Sequence, residues 1–198
     1  PGSGKIASLQ IVPSEFALPA GNEINFRVFA LDSAGHRIKQ LGDGLTWEKW
    51  IPPTAKVKAE LDGNLSTTGP GNLIASPQAK LSAGAIRASY QGLHGVARGR
   101  ILPVLPYEEN FENGYKLTQQ ASDGVPFSYP PLPWLGARMR WQVQDLDGER
   151  LAGNTLDRVL FQSAMNFVGH WQASDYIVEM DAKVDGNRRI KSTIGVVN

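Results

Sequence analysis

Residues 23–31 read EINFRVFAL, and this stretch decides the fold class because its apolar side chains recur at every second position. One face carries Ile24, Phe26, Val28 and Ala30, and the other carries Asn25, Arg27 and Phe29. This period of two is typical of a β-strand with one buried face. Asp32-Ser33-Ala34-Gly35 follows, and it predicts a turn in which Gly35 can adopt a positive φ.

Similar alternation extends outward from this strand along most of the chain. In the first half it predicts strands at Ile6–Val12, Glu23–Leu31, Leu45–Ile51, Val57–Leu61, Ala83–Tyr90 and Val96–Leu102. In the second half it predicts strands at Arg138–Gln144, Glu149–Leu151, Arg158–Gln162, Tyr176–Val184 and Ile190–Val197. Helical periodicity is scarce, and 21 Gly and 13 Pro interrupt the strands at short intervals. We therefore expect an all-β protein of the sandwich type.

The 198 residues are enough for one or two domains. Pro103-Val104-Leu105-Pro106 predicts a stiff linker, because proline lacks the N–H that a central strand needs. The expected organisation is a leading linker or cloning remnant at 1–5, a first domain at 6–102 and a second module at 107–198. The second module supplies fewer strands than a complete sandwich of its class, so we expect it to be truncated at its C-terminus or completed by another chain.

Composition excludes several classes of protein. The net charge is +1 and no basic cluster is extensive, so nucleic acid is not an expected partner. The absence of cysteine excludes disulfides and thiolate metal sites, and no run of 18 apolar residues predicts a membrane span. We expect an extracytoplasmic location, with an export signal upstream of this sequence.

The first half resembles a bacterial immunoglobulin-like domain. The resemblance rests on Leu9-x-Ile11-x-Pro13, Gly21, Ile24–Leu31, Asp32–Gly35, Leu45-Thr46-Trp47, Gly84-x-Ile86-x-Ala88 and Val96-x-x-x-x-Ile101. It covers nearly all of residues 6–102, and it implies an immunoglobulin-like β-sandwich that acts as a spacer.

The second half resembles the C-terminal module of bacterial multidomain proteins that carry PQQ-like β-propeller repeats. The matching residues are Pro130–Ala137, Asp147-Gly148, Ser174-Asp175-Tyr176, Glu179-x-Asp181 and Gly195–Asn198. The resemblance implies a concanavalin-like jelly roll, partial in this chain and similar to sugar-binding modules. It also implies a β-propeller domain, or a second chain of the parent protein, as a partner.

Glu179-Met180-Asp181 is the candidate for catalysis. On a strand this spacing places both carboxylates on one face. Laminarinase-type glycoside hydrolases, which share the concanavalin-like fold, extend such a pair with a further Glu that serves as the acid/base. Retaining hydrolysis needs two carboxyl groups. Here Lys183 occupies the next position on that face, so we expect no enzyme activity and no catalytic residue.

Aromatic and basic residues suggest ligand binding instead. Trp171 lies beside His170 in a predicted loop, where an indole ring can stack on the apolar face of a sugar. Arg188 follows a predicted turn and could clamp an anionic group. The candidate ligand-binding residues are Trp171, Glu179, Asp181 and Arg188.

A metal site is not expected, because the three histidines are far apart and match no zinc motif. Glu109, Asn110 and Glu112 could supply oxygen ligands to a structural calcium ion, but an acidic edge strand explains the same residues. No other cofactor is expected.

Three classes of function stay open at this point. The favoured one is a non-catalytic pair of modules, with an immunoglobulin-like spacer and a jelly roll that binds carbohydrate or another partner. The second is a purely structural scaffold. The third is a glycoside hydrolase-like domain that uses Glu179 and Asp181.

Overall fold

The computed structural model describes residues 4–55, 58–121, 123–139, 141–154 and 165–183. Its first part contains, in chain order, the strands β1 (Ser8–Val12), β2 (Glu15–Pro19), β3 (Glu23–Leu31), β4 (Arg37–Leu41), β5 (Thr46–Trp50), β6 (Asn64–Leu65), β7 (Gly71–Ile74), β8 (Ser82–Tyr90) and β9 (Leu93–Leu102). The second part contains β10 (Gln119–Gln120), β11 (Pro126–Phe127), β12 (Gln142–Leu146) and β13 (Glu149–Gly153), with a short 3₁₀ helix at Ala137–Met139. The described residues form no α-helix, and the all-β prediction is confirmed.

Strand β3 is the centre of the first sheet. It pairs antiparallel with β1 along one edge, where Ile11 lies opposite Val28. On its other edge it pairs with β4 and, nearer its start, with β7, which then pairs with β6. Strand β3 is therefore the central strand of a five-stranded sheet, whose other members are β1, β4, β6 and β7.

The second sheet has the order β2-β9-β8-β5. Strands β8 and β9 form a long antiparallel hairpin, and β2 lies parallel to β9 with Phe16 opposite Gly99. The chain leaves the first sheet after Val12 and enters the second at Glu15. Pro13 lies between them, where no N–H is needed for a ladder. The chain therefore crosses from the first sheet to the second between the successive strands β1 and β2.

The core lies between these sheets. The largest fully buried side chains in the first part are Ile11, Val28, Leu61, Leu73, Ile86 and Ile101. Phe16, Phe26 and Trp47 form an aromatic chain, with ring centroids 5.1 Å and 5.8 Å apart. The inward face predicted for residues 24–30 is confirmed, because Phe26, Val28 and Ala30 are buried. The predicted sandwich architecture is therefore present in the first part of the chain.

Several strand limits differ from the prediction. The predicted strands Ala83–Tyr90 and Val96–Leu102 leave residues 91–95 for the turn between them, but β9 begins at Leu93 and the turn is only Gln91-Gly92. Both residues have positive φ, of 48° and 79°, which suits a two-residue hairpin turn. Strands β4 and β7 were not predicted.

The prediction of a strand at Val57–Leu61 is wrong for its described residues 58–61, which have no regular secondary structure. A single side chain, that of Leu61, enters the core and is 1% exposed. Side chains hold the flanking loop in place, because the Asp62 N–H donates to Ser82 Oγ and the Lys80 N–H donates to Asp62 Oδ2. The segment is therefore held against the core by the single buried side chain of Leu61, and not by a strand with alternating buried residues.

The second part is built from two small ladders. Strands β12 and β13 form the predicted hairpin, which turns at Asp147-Gly148 with φ of 54° and 89°. The predicted start at Arg138 is wrong, because Arg138 lies in the 3₁₀ helix and β12 begins at Gln142. Strands β10 and β11 form the other ladder, and Ser128 bridges to Val143. Around this bridge the buried side chains include Phe127, Ala137 and Val143. The described residues of the second part do not form the larger sheets of a jelly roll. The jelly-roll fold of this module therefore stays a prediction.

The predicted strand at Tyr176–Val184 is wrong for residues 176–183, which have no regular secondary structure. Its apolar side chains are exposed, with Ile177 at 87% and Met180 at 52%. Alternation alone does not make a strand, because a strand also needs a neighbour to pair with its backbone and cover one face. The predicted strands at Arg158–Gln162 and Ile190–Val197 lie outside the described residues.

Candidate functional site

Trp171 lies in a turn, as predicted, and is the most exposed described aromatic side chain at 75%. Its ring stacks on that of His170, with centroids 3.9 Å apart and planes inclined by 29°. Gly169 enters the turn with φ of 94°, a conformation that glycine adopts without strain. The His170 ring therefore covers one face of the indole, while most of the Trp171 side chain stays exposed to solvent.

Local hydrogen bonds fix His170 in this arrangement. The Ala173 N–H donates to the His170 carbonyl at 2.9 Å, and the Gln172 N–H donates to His170 Nδ1 at 3.2 Å. Because Nδ1 is the acceptor, the proton of the neutral imidazole is assigned to Nε2. The site thus combines an apolar ring face on Trp171 with a polar N–H on His170, and both suit a sugar ring with its hydroxyl groups.

Two of the other predicted ligand-binding residues lie in the described segment that follows Trp171. Glu179 and Asp181 are exposed and lie in a segment without regular structure. Neither forms a hydrogen bond or an ion pair with another residue of the described part of the chain. Residues 176–183 do not form the strand that was expected to align these two carboxylates. Arg188 lies outside the described residues.

Two of the residues considered as calcium ligands, Glu109 and Asn110, accept hydrogen bonds from backbone N–H groups instead. Glu109 Oε1 accepts the Phe111 N–H at 2.9 Å, and Asn110 Oδ1 accepts the Glu112 N–H at 3.1 Å. These bonds form tight loops in place of the predicted acidic edge strand, because Asn and acidic side chains satisfy backbone N–H groups two residues ahead. Among the described residues, no group of three or more histidine or acidic side chains could hold a metal ion.

The sequence did not predict a cluster of aromatic rings around Glu109. Phe111 lies between Tyr115 and Trp134, with ring centroids 5.9 Å and 5.7 Å away. The Tyr107 hydroxyl donates to Glu109 Oε2 at 3.3 Å. We call Tyr107, Glu109, Phe111, Tyr115 and Trp134 the Glu109 cluster.

Burial of Tyr107, followed by the negative charge of Glu109, raises the pKa of the phenol to about 12. The same two causes raise the pKa of Tyr115 even further. Trp134 Nε1 is buried close to the Tyr107 hydroxyl, but the geometry is too poor for a hydrogen bond. Both phenols are therefore neutral at ordinary pH, and the cluster stabilises the loop instead of supplying a base.

Arg150 connects the Glu109 cluster to the β12–β13 hairpin. Its Nε donates to Asp145 Oδ1 at 2.8 Å across the hairpin, and its Nη1 donates to the Tyr115 carbonyl at 3.2 Å. The hydrogen bond and charge of Arg150 lower the pKa of Asp145. The sequence contains no motif that predicts the contacts of Arg150. Within the Glu109 cluster, the spacing Tyr107-x-Glu109-x-Phe111 does keep three of the members close together along the chain.

The depressions on the first part are shallow. One is lined by Trp47, Glu48, Lys49, Gly63, Asn64, Leu65 and Thr67, and another by Ser14, Glu15, Val96 and Arg98. Neither is an enclosed cleft that could exclude water from a reaction. Among the described residues, no helix is long and apolar enough to cross a membrane.

No protein-family model and no curated protein sequence matches the chain. Two solved structures of surface layer protein SbsC are similar to part of it. The structure of domains 4–9 matches with a TM-score of 0.36 and 14% sequence identity. The match covers 63% of this chain and 24% of the SbsC chain. The structure of domains 1–6 matches with a TM-score of 0.35 and 8% sequence identity. That match covers 76% of this chain and 22% of the SbsC chain. This chain spans less than a quarter of either structure, and TM-scores below 0.5 establish no shared fold or function.

Proposed function

We propose that the chain is a non-catalytic, extracytoplasmic pair of modules in which a β-sandwich spacer positions a carbohydrate-binding second module. The exposed His170–Trp171 stack carries this proposal. A large aromatic ring usually lies against other apolar groups, whereas Trp171 exposes 75% of its surface. Such a surface suits the apolar face of a pyranose ring.

The spacer role rests on the closed architecture of residues 6–102. Its two sheets bury a continuous apolar core, and its depressions are shallow. A rigid sandwich with a proline-rich exit at residues 103–106 can hold a neighbouring module at a fixed distance. The resemblance to modules of PQQ-like propeller proteins supports a β-propeller domain or a second chain as a partner, and an extracytoplasmic location.

Affinity electrophoresis tests the binding role. The chain migrates through native gels that contain one neutral polysaccharide each, such as a β-glucan, a xylan or a mannan. We expect retardation by at least one polymer, loss of retardation in Trp171→Ala, and partial retention in Trp171→Phe, which keeps an aromatic face. Ile177→Ala is the matched control, because it removes an exposed apolar side chain of the same segment without removing a ring.

The outcomes separate the classes of function. Equal retardation of the wild type and Trp171→Ala would place binding elsewhere, and no retardation in any gel would favour a purely structural scaffold. Release of reducing sugar by the wild type, abolished in Glu179→Gln, would show a hydrolase and overturn the non-catalytic proposal.

A further inference from the structure

The outer face of the first sheet carries a group of planar side chains around Phe29. Gln10 on β1 lies directly opposite Phe29 on β3, and Arg37 on β4 lies opposite the nearby Leu31. Asn25 and Arg27 occupy the same face of β3 as Phe29, because they are four and two positions away from it, respectively. We call Gln10, Asn25, Arg27, Phe29 and Arg37 the Phe29 platform.

Both guanidinium groups of the platform lie over the same ring. The Cζ of Arg37 is 4.2 Å from the Phe29 centroid, and that of Arg27 is 5.8 Å away. Arg37 is also oriented by Gln10, whose Oε1 accepts from Nε at 3.1 Å and from Nη2 at 2.9 Å. Arg37 is thus held in place before any ligand arrives, and this reduces the entropy lost on binding.

Within the described ranges, no carboxylate forms an ion pair with either guanidinium group of the platform. The ion pairs among the described residues involve His36, Lys49, Arg87 and Arg150, and none involves Arg27 or Arg37. Arg87 on the second sheet shows the contrast, since it lies over the Trp50 ring but pairs with Glu48. The acidic residue on the platform side of β3 is Glu23, about 13 Å from Arg27 along an extended strand.

The platform also offers amide donors beside its two cations. Asn25 Oδ1 accepts from Asn72 Nδ2 at 2.9 Å, which orients the Asn25 amide and leaves its own Nδ2 available to donate. Arginine forks bind carboxylates in a bidentate manner, and amide groups bind sugar hydroxyls. The combination fits a polymer that alternates acidic groups with hydroxyls.

We propose that the Phe29 platform binds an acidic polysaccharide, with its carboxylates on Arg27 and Arg37 and its hydroxyls on the amides of Gln10 and Asn25. The first module is then a binding module as well as a spacer. This site lies in a different part of the chain from Trp171, and the proposal does not depend on binding there.

Calorimetric titration of the whole chain with polygalacturonate tests the proposal. We expect saturable binding that weakens with added salt, and at least about tenfold weaker binding by the double variant Arg27→Gln/Arg37→Gln. The matched control is Arg98→Gln/Lys58→Gln, which removes two exposed cations elsewhere and changes the net charge equally, from +1 to −1. The control should bind within about twofold of the wild type, because surface charges at a distance are screened.

Two further polymers identify what the platform recognises. Methyl-esterified polygalacturonate keeps the sugar backbone without the charge, and polyglutamate keeps the carboxylates without the sugar. The proposal predicts weak binding to both. It is overturned if polygalacturonate does not bind, if polyglutamate binds as tightly, or if the control variant loses as much affinity as Arg27→Gln/Arg37→Gln. Thermal unfolding of each variant confirms that the fold is kept, and Trp171→Ala should bind polygalacturonate like the wild type.

Discussion

Gly71 packs directly against the indole ring of Trp47, so closely that a Cβ atom at position 71 would overlap the ring atom Cζ2. Gly71 belongs to the first sheet and Trp47 to the second, so this contact sets the distance between the sheets at one end of the core. Trp47 Nε1 donates to the Gly69 carbonyl at 2.9 Å, which prevents the ring from turning away.

Gly71→Ala should therefore lower the free energy of unfolding by about 1–3 kcal/mol, the usual cost of overpacking a core. Urea denaturation followed by circular dichroism measures the change. The matched control is Gly42→Ala, because a Cβ at Gly42 meets no atom within 4 Å and the residue has no positive φ. The control should change stability by no more than about 0.5 kcal/mol. Equal effects of the two substitutions would mean that Trp47 does not fill the space above Gly71.

The first module was largely predictable because its strands alternate clearly. Strand β3 has the limits predicted from its sequence, and the β8–β9 hairpin was placed within a few residues. Strand β4 was missed because its sequence RIKQL lacks clean alternation, and it forms by pairing with β3. Pairing across the sheet is a long-range property, and the sequence of a strand does not reveal its neighbour.

The candidate sites show the same limit. Trp171 was predicted in a loop and lies in one, because glycine and polar residues around it mark a turn. The Glu109 cluster and the Phe29 platform were not predicted, since each collects side chains from separate segments. The carboxylates of Glu179 and Asp181 were predicted on a strand that residues 176–183 do not form, because local alternation supplies no pairing partner.

The tyrosines of the Glu109 cluster should ionise at unusually high pH. Spectrophotometric titration at 295 nm should show Tyr107 ionising near its pKa of about 12, with Tyr115 above it. A phenol whose folded-state pKa exceeds its unfolded value stabilises the fold below the unfolded value of 10.0. That contribution is lost as pH rises from about 10 toward 12, so the stability of the second part should fall across this window.

Glu109→Gln should shift the Tyr107 titration to lower pH, because the negative charge of Glu109 is the second cause of the raised pKa. Burial is the first cause and is kept, so the midpoint should stay above the ordinary value. Glu108→Gln provides the control, since Glu108 is exposed and does not act on either phenol. An unchanged midpoint in Glu109→Gln would show that the cluster is not formed in solution.

Asp32 should make the turn after β3 sensitive to acid. Its Oδ1 accepts the N–H groups of Ala34 and His36, both at 2.9 Å, and the bond from His36 is the main cause that lowers its pKa below 3.8. A carboxyl group with a depressed folded-state pKa stabilises the fold above the unfolded value, and this contribution is lost as pH falls through the folded value.

Thermal unfolding between about pH 5 and pH 2 tests this dependence. Asp32→Asn keeps an acceptor oxygen but has no charge to titrate, so its stability should fall less steeply below pH 3.8 than that of the wild type. Asp43→Asn is the control, because Asp43 is exposed and its carboxylate accepts no hydrogen bond within the described ranges. Parallel acid profiles for the wild type and Asp32→Asn would exclude this role for Asp32.

Trp171 should dominate the quenching of tryptophan fluorescence by iodide. Trp47 is 4% exposed and the other three indoles, those of Trp50, Trp134 and Trp141, are partly buried, whereas Trp171 is 75% exposed. Trp171→Phe should remove most of the readily quenched emission, and Trp50→Phe should retain it. If Trp171→Phe leaves quenching unchanged, another surface covers the indole in solution, and that surface would compete with a sugar for the His170–Trp171 stack. A loss of quenching would instead show that the ring is accessible to a ligand from solution, which is the condition that binding through this stack requires.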